Sequence, residues 1–154
     1  MFAPFLALAL FGALGWYLWQ IPSSGGDWQQ SSAQFTLCGE KGSGQCVIDG
    51  DTLAIGRRKV RLAGFDAPEL DGTCEAERKL AQRAKAELRD WLNAAPYALD
   101  GGDDPPRDKY GRELRAARRL VDGKEQWLAD HMIGAGLARD NGWGSGPARW
   151  CEGS

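Results

Sequence analysis

The stretch VIDGDTLAIGRRKVRLAGFDAPE, from Val47 to Glu69, constrains this chain more than any other. Its apolar residues recur at strand spacing, and many are β-branched. Gly56 marks a turn, and Gly64 and Pro68 bracket an exit into a loop. In KVRLAGF, Val60 and Leu62 share one face, with Lys59, Arg61 and Ala63 on the other. The stretch therefore predicts two strands that pair as a hairpin. Into it are pressed the carboxylates Asp49, Asp51, Asp66 and Glu69 and the bases Arg57, Arg58, Lys59 and Arg61. Such a concentration is either a solvated hairpin surface or a cation site next to an anion site.

The rest of the chain narrows the possibilities. Its 154 residues suffice for one domain with a core. The net charge is −2, which excludes a strongly basic fold that grips polyanions by bulk charge. A polyanionic partner must be held by a local patch or through a bound cation. The single histidine, His131, leaves little material for histidine-rich zinc sites or histidine-based nuclease centres and is expected at the surface or an edge.

Residues 1–22, MFAPFLALALFGALGWYLWQIP, carry no charged side chain. About 20 such residues span a bilayer, whereas a signal-peptide core needs about 7–15. No basic residue precedes the run, no small-x-small cleavage site follows it, and Trp16, Tyr17, Trp19 and Trp28 resemble an interfacial belt. An uncleaved membrane anchor is the preferred reading, a removed signal peptide the alternative, and a buried core helix the remaining one. Residues 23–34 read as a flexible polar linker. The folded domain, 35–154, is expected to begin near Phe35.

Cys38, Cys46, Cys74 and Cys151 form no Cys-x-x-Cys motif. An even count behind an export segment suggests two disulfides in an oxidising, extracytoplasmic compartment. Of the three possible pairings, Cys38–Cys46 would staple the Gly-rich turn GEKGSGQ and leave Cys74 with Cys151. Four reduced thiols are the alternative.

FTLC and CVIDGDTLAI read as strands. CEAERKLAQRAKAELRDWLNAA reads as a helix with Ala76, Leu80, Ala84, Leu88, Trp91 and Ala95 on its apolar face and its charges, Glu77 among them, on a solvated one. PYALDGG predicts a short strand, DDPPRDKYGR a loop, and ELRAARRLVDGK a strand ending in an Asp122–Gly123 turn. A last helix is expected from about Glu125 to Ala138, and then an irregular tail held by Trp143, Trp150 and Cys151. Short strands, a helix, more strands and a helix imply an α+β fold, a small β-barrel with packed helices.

Asp51 lies just before one strand, and Asp66 and Glu69 lie after the next. Two carboxylates about 4 Å apart repel by about 4 kcal/mol at an effective dielectric of 20. A divalent cation offsets that repulsion, and hard oxygen ligands suit calcium or magnesium. The EF-hand spacing is absent. Arg61, on a strand toward the same loops, and Arg112, in DKYGR, are suited to a two-point grip on phosphate. The bland role for Arg112 is a salt bridge with Asp103, Asp104 or Asp108.

Together VIDGDTL, VRLAGFDAPE, DKYGR and GLAR, in this order between about Cys46 and Arg139, resemble the staphylococcal-type thermonucleases. The resemblance implies an OB-type five-stranded β-barrel with packed helices. It implies Ca²⁺ held by Asp51, Asp66 and the carbonyl of Ala67, where many relatives have threonine. It assigns the general base to Glu69, phosphate binding to Arg61 and Arg112, and substrate contacts to Lys109 and Tyr110; Asp49 would lie behind the metal ligands. The expected activity is calcium-dependent hydrolysis of DNA, RNA or both with little sequence specificity, by a monomer tethered to a membrane through its N-terminal segment. The tyrosines that many relatives carry shortly after GLA are missing: RDNGWGSG offers only Trp143. The rival expectations are a non-catalytic OB-fold nucleic-acid-binding module and a membrane-anchored adaptor domain, which would leave the carboxylate cluster unexplained.

Overall fold

The structure, a computed structural model, describes residues 27–42, 44–142, 144–146 and 149–151. The anchor or signal segment and Trp143 lie outside them. Eleven strands and two helices are described, an α+β architecture. A five-stranded sheet is built from β2 (Thr36–Leu37), β3 (Gln45–Val47), β4 (Thr52–Ile55), β5 (Arg58–Leu62) and β8 (Glu113–Arg115), in that order. β3, β4 and β5 form an antiparallel meander, and β2 and β8 join its edges in parallel. The predicted hairpin is present, with Leu53 opposite Val60 and Thr52 opposite Arg61. Leu53, Val60 and Leu62 are buried, as the alternation requires.

A four-stranded sheet runs β1 (Gln29–Ser31), β7 (Tyr97–Leu99), β9 (Ala117–Val121), β10 (Lys124–Trp127). Short β6 (Phe65–Asp66) pairs with β11 (Arg139–Asp140). The described strands thus make three sheets rather than one closed barrel. The predicted single strand over ELRAARRLV is interrupted at Ala116, so that β8 and β9 serve different sheets.

Three other expectations are corrected. Part of the segment read as a linker, Gln29–Ser31, is a strand paired with Tyr97–Leu99, so ordered structure is present by Asp27 rather than from Phe35. Trp28 packs edge-on against Trp127, with ring centroids 5.6 Å apart, and belongs to this domain rather than to an interfacial belt. The last helix does not begin at Glu125. Asp122 and Gly123 both have positive φ, 51° and 74°, which fits a tight hairpin turn. The chain therefore returns along β9 as β10, and helix α2 spans only Leu128–Gly134.

Helix α1, Glu75–Ala94, is capped by Cys74, whose sulfur accepts the Glu77 amide, and Pro96 follows its end. Ala81, Ala84, Leu88, Trp91 and Leu92 are buried, a stripe rotated from the predicted one, with Ala76 exposed and Leu80 at the margin. Glu77, read as part of the solvated face, is also buried. Asn93 ties α1 to the chain before β2 by accepting from the Phe35 amide at 2.8 Å and donating to its carbonyl at 2.9 Å. The core joins Phe35, Leu53, Val60 and Phe65 to Trp91 and Tyr97.

Both disulfides pair as expected, Cys38 with Cys46 and Cys74 with Cys151. Two such bonds indicate an oxidising, extracytoplasmic environment. Among the described residues no helix is long and apolar enough to cross a membrane.

Candidate functional site

The site grows from the turn Asp49-Gly50-Asp51 between β3 and β4. A side chain at Gly50 would place its Cβ 2.6 Å from that of Ala67 and 2.8 Å from that of Ala84. Glycine therefore lets this turn press against both the loop after β6 and helix α1. Asp51 is 8% exposed. Its Oδ2 accepts the Ala67 amide at 2.9 Å and faces Arg61 Nη1 at 2.6 Å, while Oδ1 accepts the Thr52 hydroxyl at 3.0 Å. The Asp51 amide donates to Asp49 at 3.1 Å, which sets Asp49 directly behind it.

Arg61, on β5 opposite Thr52, turns its second guanidinium nitrogen to Asp66. One guanidinium thus bridges Asp51 and Asp66, while Ala67 is joined to Asp51 through its backbone. Asp66 also accepts from Asn141 Nδ2 at 3.3 Å, a contact that the pairing of β11 with β6 makes possible. Sequence reasoning missed Asn141; its only local signal is a position just beyond GLAR.

Electrostatics separate the carboxylates. Burial pushes the Asp51 carboxyl from its ordinary 3.8 up to about 7, and the charge of Asp49 adds to the rise; Arg61, the Ala67 amide and the Thr52 hydroxyl oppose it without cancelling it. Glu69 belongs to an exposed residue, yet partial burial of its carboxyl, then the charges of Asp49 and Asp71, raise it above its ordinary value against the pull of Arg61. Glu69 is therefore within electrostatic reach of the Arg61 cluster, on a loop whose other end is fixed at Ala67.

Arg112 occupies a separate loop. Asp108 organises it by accepting from the amides of Tyr110 at 2.9 Å and Arg112 at 3.0 Å and from Arg112 Nε at 2.7 Å. These bonds outweigh the effect of burial and hold the Asp108 carboxyl below its ordinary value. Lys109 Nζ lies 5.0 Å and the Arg112 guanidinium 5.5 Å from the Tyr110 ring, which is 72% exposed. Among the described residues no hydrogen bond or ion pair joins Arg112 to Asp51, Asp66 or Arg61. The parallel pairing of β8 with β5 nonetheless sets Leu114 beside Arg61, two residues beyond Arg112.

Carboxylate oxygens such as those of Asp51 and Asp66 suit a hard divalent cation; of Ala67, it is the amide that is bonded to Asp51. Two acidic side chains converge on one guanidinium, so Arg61 balances the carboxylate charge at this site. A second group of donor atoms, from Cys74, Glu77 and Cys151, lies within 4.8 Å, but its two sulfurs are bonded to each other and offer no thiolate. His131 pairs with Glu87 at 2.7 Å, away from these residues.

Below the site lies a buried ion network that sequence reasoning also missed. Glu113, 1% exposed, meets Arg115 at 2.9 Å and Arg58 and Arg107 at 3.3 Å. Burial alone would raise its carboxyl, but the arginines prevail and lower it.

No family model matches this chain. Succinoglycan biosynthesis protein ExoI of Rhizobium meliloti (strain 1021) is similar to it, 36% identical over 88 residues, which cover 54% of this chain and 46% of that protein. The chain thus spans less than half the length of that curated relative.

Proposed function

We propose that this chain is a calcium-dependent phosphodiesterase of the thermonuclease kind, built on an OB-type barrel, that hydrolyses DNA and RNA with little sequence specificity. The observation that carries this reading is the shared guanidinium of Arg61 between Asp51 and Asp66, beside the Glu69 loop. A guanidinium bracketed by carboxylates is poised to be released when a cation takes those carboxylates.

Asp51, Asp66 and the Ala67 carbonyl would hold Ca²⁺, which when bound supplies positive charge beside a phosphodiester oxygen. Arg61, freed from the carboxylates, pairs with phosphate oxygens, and Arg112 reaches the same phosphate from its own loop. Both stabilise the extra negative charge of the five-coordinate transition state. Glu69 accepts a proton from water as its oxygen bonds to phosphorus, and the P–O bond to the 5′-oxygen breaks. A carboxyl raised above its ordinary value is a stronger base than an unperturbed one. Lys109 and the exposed Tyr110 contact the neighbouring phosphate and sugar. The apolar segment 1–22 holds the domain at the outer face of a membrane.

The test is incubation of the full-length chain with single-stranded DNA and with RNA, in calcium and in chelator. Calcium-dependent cleavage is expected. Asp51→Ala and Asp66→Ala should abolish calcium binding and cleavage. Glu69→Gln should keep calcium binding but lose rate by about 10²–10⁴-fold. Binding without cleavage, equal in wild type and Glu69→Gln, would establish the non-catalytic module instead.

A further inference from the structure

We propose that Glu77 is a positioning residue that sets Glu69 in place, and that the Cys74–Cys151 disulfide closes over it; the proposal rests on Glu69 acting as the base. Glu77 lies in the first turn of α1 and is 7% exposed. A buried carboxylate is unfavourable unless its oxygens are satisfied. Those of Glu77 are satisfied by the loop after β6. Oε1 accepts the Glu69 amide at 3.4 Å, and Oε2 accepts the Thr73 amide at 2.9 Å and the Thr73 hydroxyl at 3.4 Å. Among the described residues no basic side chain forms an ion pair with it. The N-terminus of α1 favours a negative charge at this position.

The loop is thus fixed at three amides: Ala67 on Asp51, and Glu69 and Thr73 on Glu77. Cys151 Sγ lies 3.6 Å from Glu77 Oε2 and 3.3 Å from the Thr73 hydroxyl, and the bonded Cys74 sulfur accepts the Glu77 amide at 3.4 Å. The disulfide therefore lies over the carboxylate and beside Thr73 of the loop. Gly72 completes the fit. A Cβ there would fall 2.4 Å from Glu77 Cδ and 2.6 Å from Oε2, and φ at Gly72 is outside the left-handed region. Alanine at Gly72 would thus displace the movable end of Glu77 without backbone strain. Small misplacements of a reacting group can cost about 10²-fold in rate, so a fixed backbone at Glu69 matters to turnover.

The experiment compares full-length wild type with Glu77→Ala, Glu77→Gln, Gly72→Ala and the double variant Gly72→Ala/Glu77→Ala. It reads kcat and KM on single-stranded DNA, calcium affinity by calorimetry, melting temperature, and amide hydrogen exchange at Glu69 and Thr73. Glu77→Ala and Gly72→Ala should each lower kcat by about 10- to 100-fold, with KM and calcium affinity within about twofold of wild type. The double variant should be no slower than the slower single one, because both remove the same contact. Glu77→Gln keeps an acceptor oxygen and should recover part of the rate. The Glu69 and Thr73 amides should exchange faster in Glu77→Ala. Unchanged kcat, or losses that follow melting temperature across all variants and are additive, would overturn the proposal. A wild-type chain that does not cleave refutes the nuclease reading. The clamp is then judged on exchange alone: unchanged amides in Glu77→Ala overturn it, and faster ones support it.

Discussion

Calcium binding at Asp51 should compete with a proton in the neutral range. An ordinary aspartate, at 3.8, is fully ionised there and would give a flat response. Asp51, held at about 7 by burial, is not. The calcium-free site must lose that proton before the carboxylate can act as a ligand. With a site value of about 7, lowering the pH from about 8 to about 6 should weaken calcium binding about tenfold, close to 1.4 kcal/mol. Titration calorimetry in two buffers of different ionisation enthalpy gives the affinity and the protons released. Release should approach about one proton per calcium at about pH 6 and fall to about 0.1 at about pH 8. Asp51→Asn, which cannot titrate, should bind calcium weakly and without this slope. The sign for stability is fixed by the same shift. In the calcium-free protein the folded state holds this proton more tightly than the unfolded chain. That contribution is fully present below about pH 4 and is lost as pH rises through about 7, on the order of 4 kcal/mol at 1.36 kcal/mol per pH unit. Equal calcium affinity and equal proton release at both pH values would refute the reasoning, because no buried, raised carboxyl could then be a ligand.

Other perturbations probe the frame around the site. Glu113→Ala should lower unfolding free energy in urea by about 3–5 kcal/mol, because Arg115, 2% exposed, would lose its buried counter-charge; a loss under about 1 kcal/mol would deny the network a structural role. Because its carboxyl is lowered, wild type should gain stability from Glu113 above the ordinary carboxylate range and lose it as pH falls through the folded value, and the variant should show a shallower acid limb. Gly50→Ala should overpack against Ala67 and Ala84 and cost about 1–3 kcal/mol in thermal or urea unfolding, with weakened calcium binding; wild-type values in both would remove the close approach from the account. Replacing Cys74 and Cys151 together by serine should cost about 2–4 kcal/mol of stability, and an unchanged urea midpoint would show that the closed tail contributes nothing.

What the sequence made legible was local. The hairpin from Thr52 to Leu62, the long helix, the Asp122–Gly123 turn and the convergence of Asp51, Arg61 and Asp66 follow from alternation, periodicity and turn chemistry within a few residues. What stayed hidden depends on partners far along the chain. Gln29–Ser31 resembles a polar linker until Tyr97–Leu99 is beside it. Glu77 resembles its charged neighbours on α1, and only the returning loop and Cys151 make it a buried acceptor. Glu125 has helix-compatible neighbours, but the hairpin turn commits it to pair with Leu120 instead. Arg115 carries no local mark and Asn141 none beyond its place after GLAR, because their roles are set by the chain between Asp100 and Gly102 and by β6.

The stitching at the start of the domain also fixes a length. Arg115 reaches Gln29 Oε1 at 3.2 Å, and the Gly102 amide reaches the Asp27 carbonyl at 2.8 Å. Only Ser23, Ser24, Gly25 and Gly26 then separate Asp27 from the apolar run 1–22. A fully extended chain covers about 3.5 Å per residue, so these four can span about 14 Å, where a free linker to Gln34 would have allowed about 40 Å. If the run stays in a bilayer, the domain is on a short leash and works within about its own radius of the lipid headgroups. A tether that short would leave the domain little volume to sweep, so a nucleic-acid substrate of the proposed kind would have to reach the membrane itself.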